Sequence, residues 1–194
     1  MSNPTATDVD LVGDETAQNI ARAALFAALM GAFSYVSFPY PLSPAPVTLQ
    51  VLGVFLAGLF LGPLWGGAAM VLYLLAGALG APVFAGGGAG IGVLLGPTGG
   101  YLLSYAVAAV IVGVLAHGGL RLRSLAAVSV ARMIAAMAVA TVVIYGIGVP
   151  FLWWNLDMTV RTAVVTGAVV FVPAEAAKIA AAIGIVRSDA IRAE

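Results

Sequence analysis

Apolar residues fill this chain in long blocks, and no charged side chain interrupts the 98 residues between Arg22 and Arg121. An α-helix needs about 20 mostly apolar residues to cross a bilayer. Read with proline and glycine clusters as punctuation, the pattern predicts a first span over Asn19–Phe38, ended by Pro39, Pro41, Pro44 and Pro46. A second follows over Thr48–Leu61, broken at Gly62 and Pro63, and a third over Trp65–Leu79. Both are short, which allows tilting or re-entry. Gly80–Gly100 is too rich in glycine to sustain a regular helix. A fourth span is predicted over Tyr101–His117 and a fifth over Ala131–Phe151; a last apolar stretch, Val160–Val186, is interrupted at Pro173. The expected fold class is therefore an all-α membrane protein of six transmembrane helices in one bundle, residues 19–187. A polar tail (1–18) precedes it and a short tail (188–194) follows.

Composition agrees. Hydrophobic residues make up 62% of the chain and charged residues 8%, against about 25% charged in soluble domains. Mean hydropathy is +1.11. A formal net charge of zero gives no electrostatic case for nucleic acid. The absence of cysteine excludes disulfides, thiolate catalysis and cysteine-ligated metal, and the single His117 cannot build a histidine metal site. The acidic start of the chain (Asp8, Asp10, Asp14, Glu15) lacks the basic region of a cleaved signal peptide.

Charge then sets an expected orientation. With six spans, Arg22, Arg121, Arg123, Arg187 and Arg192 share one side, with Arg132 in reach of it, and Arg161 stands alone on the other. The positive-inside rule puts both termini in the cytoplasm and turns the proline- and glycine-rich loops, with Trp153 and Trp154, outward.

Four features are candidates for chemistry. Glu175 and Lys178 stand three residues apart in an apolar helix, a spacing that puts them on one face. Pro173 suits the first turn of that helix, so Glu175 meets the positive end of its dipole. Buried ionisable groups are costly in a membrane and usually functional, which favours a pocket over a merely structural pair. The loop around Phe84, Gly86, Gly87 and Gly88 exposes backbone that either covers a ligand or simply connects spans; no nucleotide-binding motif is present. Two small-residue ladders mark the first span: Ala24, Ala28 and Ala32, and Ala23, Ala27 and Gly31. Such ladders let helices pack closely, inside the bundle or against a partner. Lastly, Thr48 with Gln50, Tyr73 and Tyr145 lie at helix depth, each able to bond a polar solute or a neighbouring carbonyl. His117 reads as an interface residue rather than a catalyst.

Several of these segments resemble a known family. Pro46-Val-Thr-Leu-Gln50, Leu56-Ala-Gly-Leu-Phe-Leu-Gly-Pro63, Leu72-Tyr-Leu-Leu-Ala-Gly77, Gly80-Ala-Pro-Val-Phe-Ala-Gly86, Gly96-Pro-Thr-Gly-Gly-Tyr-Leu102 and Gly148-Val-Pro150 are similar to elements of the BioY family, over roughly Ala21–Ala182. That family comprises biotin-binding membrane subunits of energy-coupling factor transporters. Phe171-Val-Pro-Ala-Glu-Ala-Ala-Lys178 resembles the family's Phe-x-Pro-Gly-Asp-x-x-Lys, with Ala174 for the glycine and Glu175 for the aspartate. The carboxylate thus sits one methylene further out.

The resemblance implies a six-helix domain that takes biotin from outside into a loop-capped pocket. It implies a separate transmembrane coupling subunit with two ATPases, no cofactor of its own, and a prokaryotic cell membrane. It implies that Glu175 accepts ureido N–H bonds and Lys178 donates to a ligand oxygen. Gln50 and the backbone near Gly86 and Gly87 add hydrogen bonds, and Phe84, Tyr73 and Tyr101 pack on the apolar body. The Ala24, Ala28, Ala32 ladder resembles the surface by which such subunits dock on the coupling protein. The rivals are a subunit of the same architecture for thiamin or riboflavin, an intramembrane enzyme using Glu175, and a scaffold. The Gly96-to-Tyr101 signature argues against the first, and a lone Glu–Lys pair is thin equipment for the second.

Overall fold

A computed structural model of the protein describes residues 13–188. Residues 1–12 of the expected N-terminal tail, and Arg192 with most of the C-terminal tail, lie outside the described residues. The first helix, α1 (Asp14–Tyr35), takes in the last five residues of what the pattern assigned to the tail. Asp14 and Glu15 in its first turn suit the positive end of the dipole, so polar residues extend the helix rather than delay it. It also stops short of Phe38. Ser37–Phe38 (β1) pairs antiparallel with Val47–Thr48 (β2), closing the proline-rich loop between them.

The next element, α2 (Gln50–Ala78), is a helical hairpin: Gly62, at φ +72°, ends one arm and Pro63 opens the other. A Cβ at Gly66 would meet the backbone of Ala57 and Gly58, so the arms run back against each other. This is the pair of short passes expected at 48–61 and 65–79. The left-handed φ at residue 62 is where glycine is required, and proline is tolerated after it because a first-turn N–H is unpaired anyway.

A 3₁₀ turn (Ala85–Gly87) and the five-residue α3 (Ile91–Leu95) follow. Then comes α4 (Gly99–His117), the central helix, packed on both arms of α2 and on α5 (Val130–Leu156). Contact with α2 is close because the touching surfaces lack side chains: Gly58 lies on the Ala109 carbonyl, and Gly113 on the backbone of Gly62 and Pro63. Ala108, Ala109, Val112 and Ala116 are fully buried. At the far end His117 accepts from the Arg123 N–H through Nδ1 (3.1 Å), so its Nε2–H donates to the Leu59 carbonyl (2.9 Å). That carbonyl lies in the last turn of the first arm, where Pro63 has no N–H to offer. His117 is therefore a buried helix cap.

The last pass is broken, though not at Pro173. α6 (Val160–Gly167) ends at Ala168, a 3₁₀ turn (Val169–Phe171) follows, and α7 (Val172–Arg187) carries Pro173 in its first turn. Proline starts the new helix rather than breaking the old one, as its fixed φ and missing N–H allow. Four stretches are long and apolar enough to cross a membrane: Gln50–Ala78, Gly99–His117, Val130–Leu156 and Val160–Arg187. With α2 folded double and α1 beside it, the bundle makes six passes, an all-α membrane protein. The two loop-rich ends differ in charge: Arg22, Arg121, Arg123, Arg132 and Arg187 lie towards the end with the Gly62 turn, whereas the glycine-rich loop and Arg161 belong to the other.

Candidate functional site

The glycine-rich end holds a recess of about 650 Å³, counted out to its mouth. Ala45, Pro46, Thr48, Gln50 and Val51 close one side, and Phe84, Ala85 and Val93 of the glycine-rich segment lie across it. Thr98, Tyr101, Leu102 and Tyr105 of α4 form another wall; Ile144 and Tyr145 of α5, with Phe171, Glu175 and Lys178, complete it.

The floor is charged. Pro173 starts α7, so Glu175 falls in its first turn and Lys178 one turn later on the same face. Lys178 Nζ donates to Glu175 Oε1 at 2.7 Å, and both residues are buried. It is the one ion pair among the described residues. Tyr145 O–H donates to the same oxygen at 3.0 Å. Glu175 Oε2 is buried with no partner. A buried charged acceptor left unpaired is expensive, and Glu175 is among the residues that line the recess. Lys178 has spent one of three N–H donors on Glu175. A free acceptor beside free donors is complementary to a group that presents N–H next to C=O, such as a cyclic urea or amide.

A second polar group faces the pair. Thr48 donates its hydroxyl to Gln50 Oε1 (3.2 Å), and the Gln50 amide donates to the Tyr73 hydroxyl. Tyr73 belongs to the second arm of α2, and this bond ties the open ends of the hairpin together. Tyr73 therefore stands behind Gln50 and is not among the residues that line the recess. Its ring meets Phe84 edge-on, centroids 5.5 Å apart. Phe84 in turn fills the space left by Gly77, where a Cβ would fall inside its ring.

Tyr101 lines the recess as expected, and it also holds the break in the last pass: its hydroxyl donates to the Gly167 carbonyl at 2.8 Å. Its ring lies against Gly148, where a Cβ would overlap it. Gly148 thus makes room for this ring between α5 and α6, while Gly100 lies against the Ile147 carbonyl and Gly99 against the Leu94 backbone.

Of the expected site residues, Glu175, Lys178, Gln50, Phe84 and Tyr101 come together around the recess. Gly86 and Gly87 do not line it; they shape the turn that presents Phe84 and Ala85. Sequence reasoning passed over Tyr105, Thr98 and Phe171. Tyr105 stands four residues after Tyr101, so helical spacing could have found it. The bond from Tyr145 to Glu175 spans 30 positions and leaves no local signal.

The ladders of α1 divide. Ala23 and Gly31 are buried, Gly31 against Val83, whereas Ala24, Ala28 and Ala32 are exposed.

Fold and site together define a membrane-embedded binding domain for a small solute, with mostly apolar walls and a few convergent polar groups. The model of the BioY family matches residues 4–193. The chain belongs to the BioY family. Over 97 residues it is 45% identical to the "Probable biotin transporter BioY" of Pyrococcus horikoshii, a match covering 50% of this chain and 59% of that protein. The chain thus spans less than two thirds of that relative's length. Over 168 residues it is 33% identical to the "Biotin transporter BioY" of Rhizobium etli, covering 83% of this chain and 87% of the other. Its fold matches the S-component for biotin from an ECF-type ABC transporter, with a TM-score of 0.83, 22% identity and 95% of each chain covered.

Proposed function

We propose that this chain is the biotin-binding membrane subunit of an energy-coupling factor uptake transporter in a prokaryotic cell membrane. It captures biotin from outside and releases it inward with a transmembrane coupling subunit and two ATPase subunits. The observation that carries this reading is the unpartnered Glu175 Oε2 beside Lys178, inside an aromatic recess. A ureido ring offers Oε2 an N–H and offers Lys178 a carbonyl oxygen. Phe84, Tyr101, Tyr105 and Phe171 give the thioether ring and aliphatic chain an apolar bed. Gln50 with Thr48 is the second polar contact, and Gly86 and Gly87 act through the loop they shape.

The arginine distribution supports both termini in the cytoplasm and the recess facing out. The exposed Ala24, Ala28, Ala32 face supports docking on the coupling subunit, since small residues allow close helix approach in lipid. The bundle from α1 to α7 is the binding domain, between short tails.

The test is equilibrium binding of biotin to the purified chain in detergent, with thiamin and riboflavin as controls. Selective biotin binding that is lost in Glu175→Ala and Lys178→Ala is expected. Normal affinity in both variants, or a preference for another vitamin, refutes the assignment.

A further inference from the structure

Two donors converge on one oxygen of Glu175 and none on the other. Lys178 belongs to the same helix, so its bond alone leaves the carboxylate free to turn and offer either oxygen. Tyr145 comes from α5. Its bond crosses between helices and fixes which oxygen is spent. The tyrosine is itself held from two sides: its ring stacks on Phe171, centroids 6.1 Å apart and planes 23° apart, and meets Tyr101 edge-on at 5.9 Å. Tyr101 is anchored by its own hydroxyl on Gly167. The carboxylate plane is thus set through a chain of packed rings, not by its own helix.

We infer that Tyr145 is a positioning residue that reserves Glu175 Oε2 for an N–H donor and so sets the selectivity of the recess for the ureido group over its donor-less isosteres. This rests on the biotin reading above. The Lys178 charge already offsets the carboxylate, so the free oxygen selects a neutral N–H donor, not a cation. An isostere with an ether oxygen in place of that N–H sets two acceptors face to face.

The experiment compares the unaltered chain with Tyr145→Phe, which keeps the ring and removes only the hydroxyl. The probes are biotin and its two cyclic-carbamate analogues, each with one ring N–H exchanged for oxygen. The unaltered chain is expected to reject one analogue by about 100-fold, because the exchange leaves a buried charged acceptor unpaired. Tyr145→Phe is expected to weaken biotin by about 10-fold and to shrink that discrimination to about 10-fold. Equal weakening of biotin and both analogues would assign Tyr145 a purely structural role and overturn the inference; so would unchanged selectivity.

A second measurement needs no ligand. The carboxylate stretch of Glu175, isolated by ¹³C-glutamate labelling and subtraction of Glu175→Gln, should shift in Tyr145→Phe. An unmoved band overturns the positioning role. A chain that shows the shift but binds no biotin overturns the ligand reading instead, and the selectivity claim with it.

Discussion

Removing one member of the buried pair should cost far more than removing both. Glu175 and Lys178 are 3% and 7% exposed and 2.7 Å apart. Lys178→Met keeps the length of the side chain and leaves a buried carboxylate whose remaining donor is the Tyr145 hydroxyl. Breaking a buried pair in this way costs about 3–5 kcal/mol, whereas replacing both partners with neutral groups of similar shape is often near neutral. In Glu175→Gln/Lys178→Met the amide oxygen still accepts from Tyr145, so the double variant should stay within about 1 kcal/mol of the unaltered chain. For a domain of this size 1 kcal/mol moves the melting temperature by about 2–4 °C. The single variant should therefore melt about 6 °C lower or more, and the double variant about 4 °C lower at most. The assay is tryptophan fluorescence on heating in one detergent at fixed salt and without ligand. A double variant no more stable than Lys178→Met would show that the two charges are not energetically coupled.

Other outcomes follow from the same geometry. Gly77→Ala drives a methyl into the Phe84 ring; overpacking of about 1–3 kcal/mol should displace the ring and weaken biotin binding at least about fivefold in calorimetry, and unchanged affinity would show that Phe84 does not shape the recess. His117→Ala strips the cap from the Leu59 carbonyl and should lower stability by about 1–3 kcal/mol. Biotin affinity should not move in that variant, because His117 lies at the opposite end of α4 from Tyr101; a binding defect without a stability loss would contradict the capping role. Ala24→Trp or Ala28→Trp should abolish uptake in cells while leaving biotin affinity of the purified chain intact. Ala23→Trp, on the buried ladder, should instead unfold the domain; the reverse pattern would mean that the exposed face is not a docking surface.

Much of this was legible in the chain itself, for identifiable reasons. The first four passes fall almost entirely in the uncharged run between Arg22 and Arg121, and the last two in the long apolar stretches that follow it. The Gly62 and Pro63 break and the Glu175–Lys178 pair are local signals, readable from spacing. Tail and helix are harder to separate at Asp14–Gln18, because polarity argues for a tail while first-turn acids favour a helix. The break in the last pass falls at Gly167 and Ala168 because Tyr101, far away in sequence, claims the Gly167 carbonyl. Tyr73 acting behind Gln50, and Tyr145 bracing Glu175, depend on helices meeting in space, which spacing along one helix cannot report.

The hairpin of α2 has a consequence for how the chain enters the membrane. At 1.5 Å per residue, the arms 50–61 and 63–78 rise about 18 and 24 Å, short of a hydrocarbon layer about 30 Å thick. Neither arm is an adequate anchor alone. A nascent chain halted between them should fail to hold a fused reporter across the bilayer, whereas one halted after α4, whose small-residue face fits both arms, should succeed. The two arms are thus one unit of biogenesis, completed only when the helix that fills the cleft between them has been synthesised.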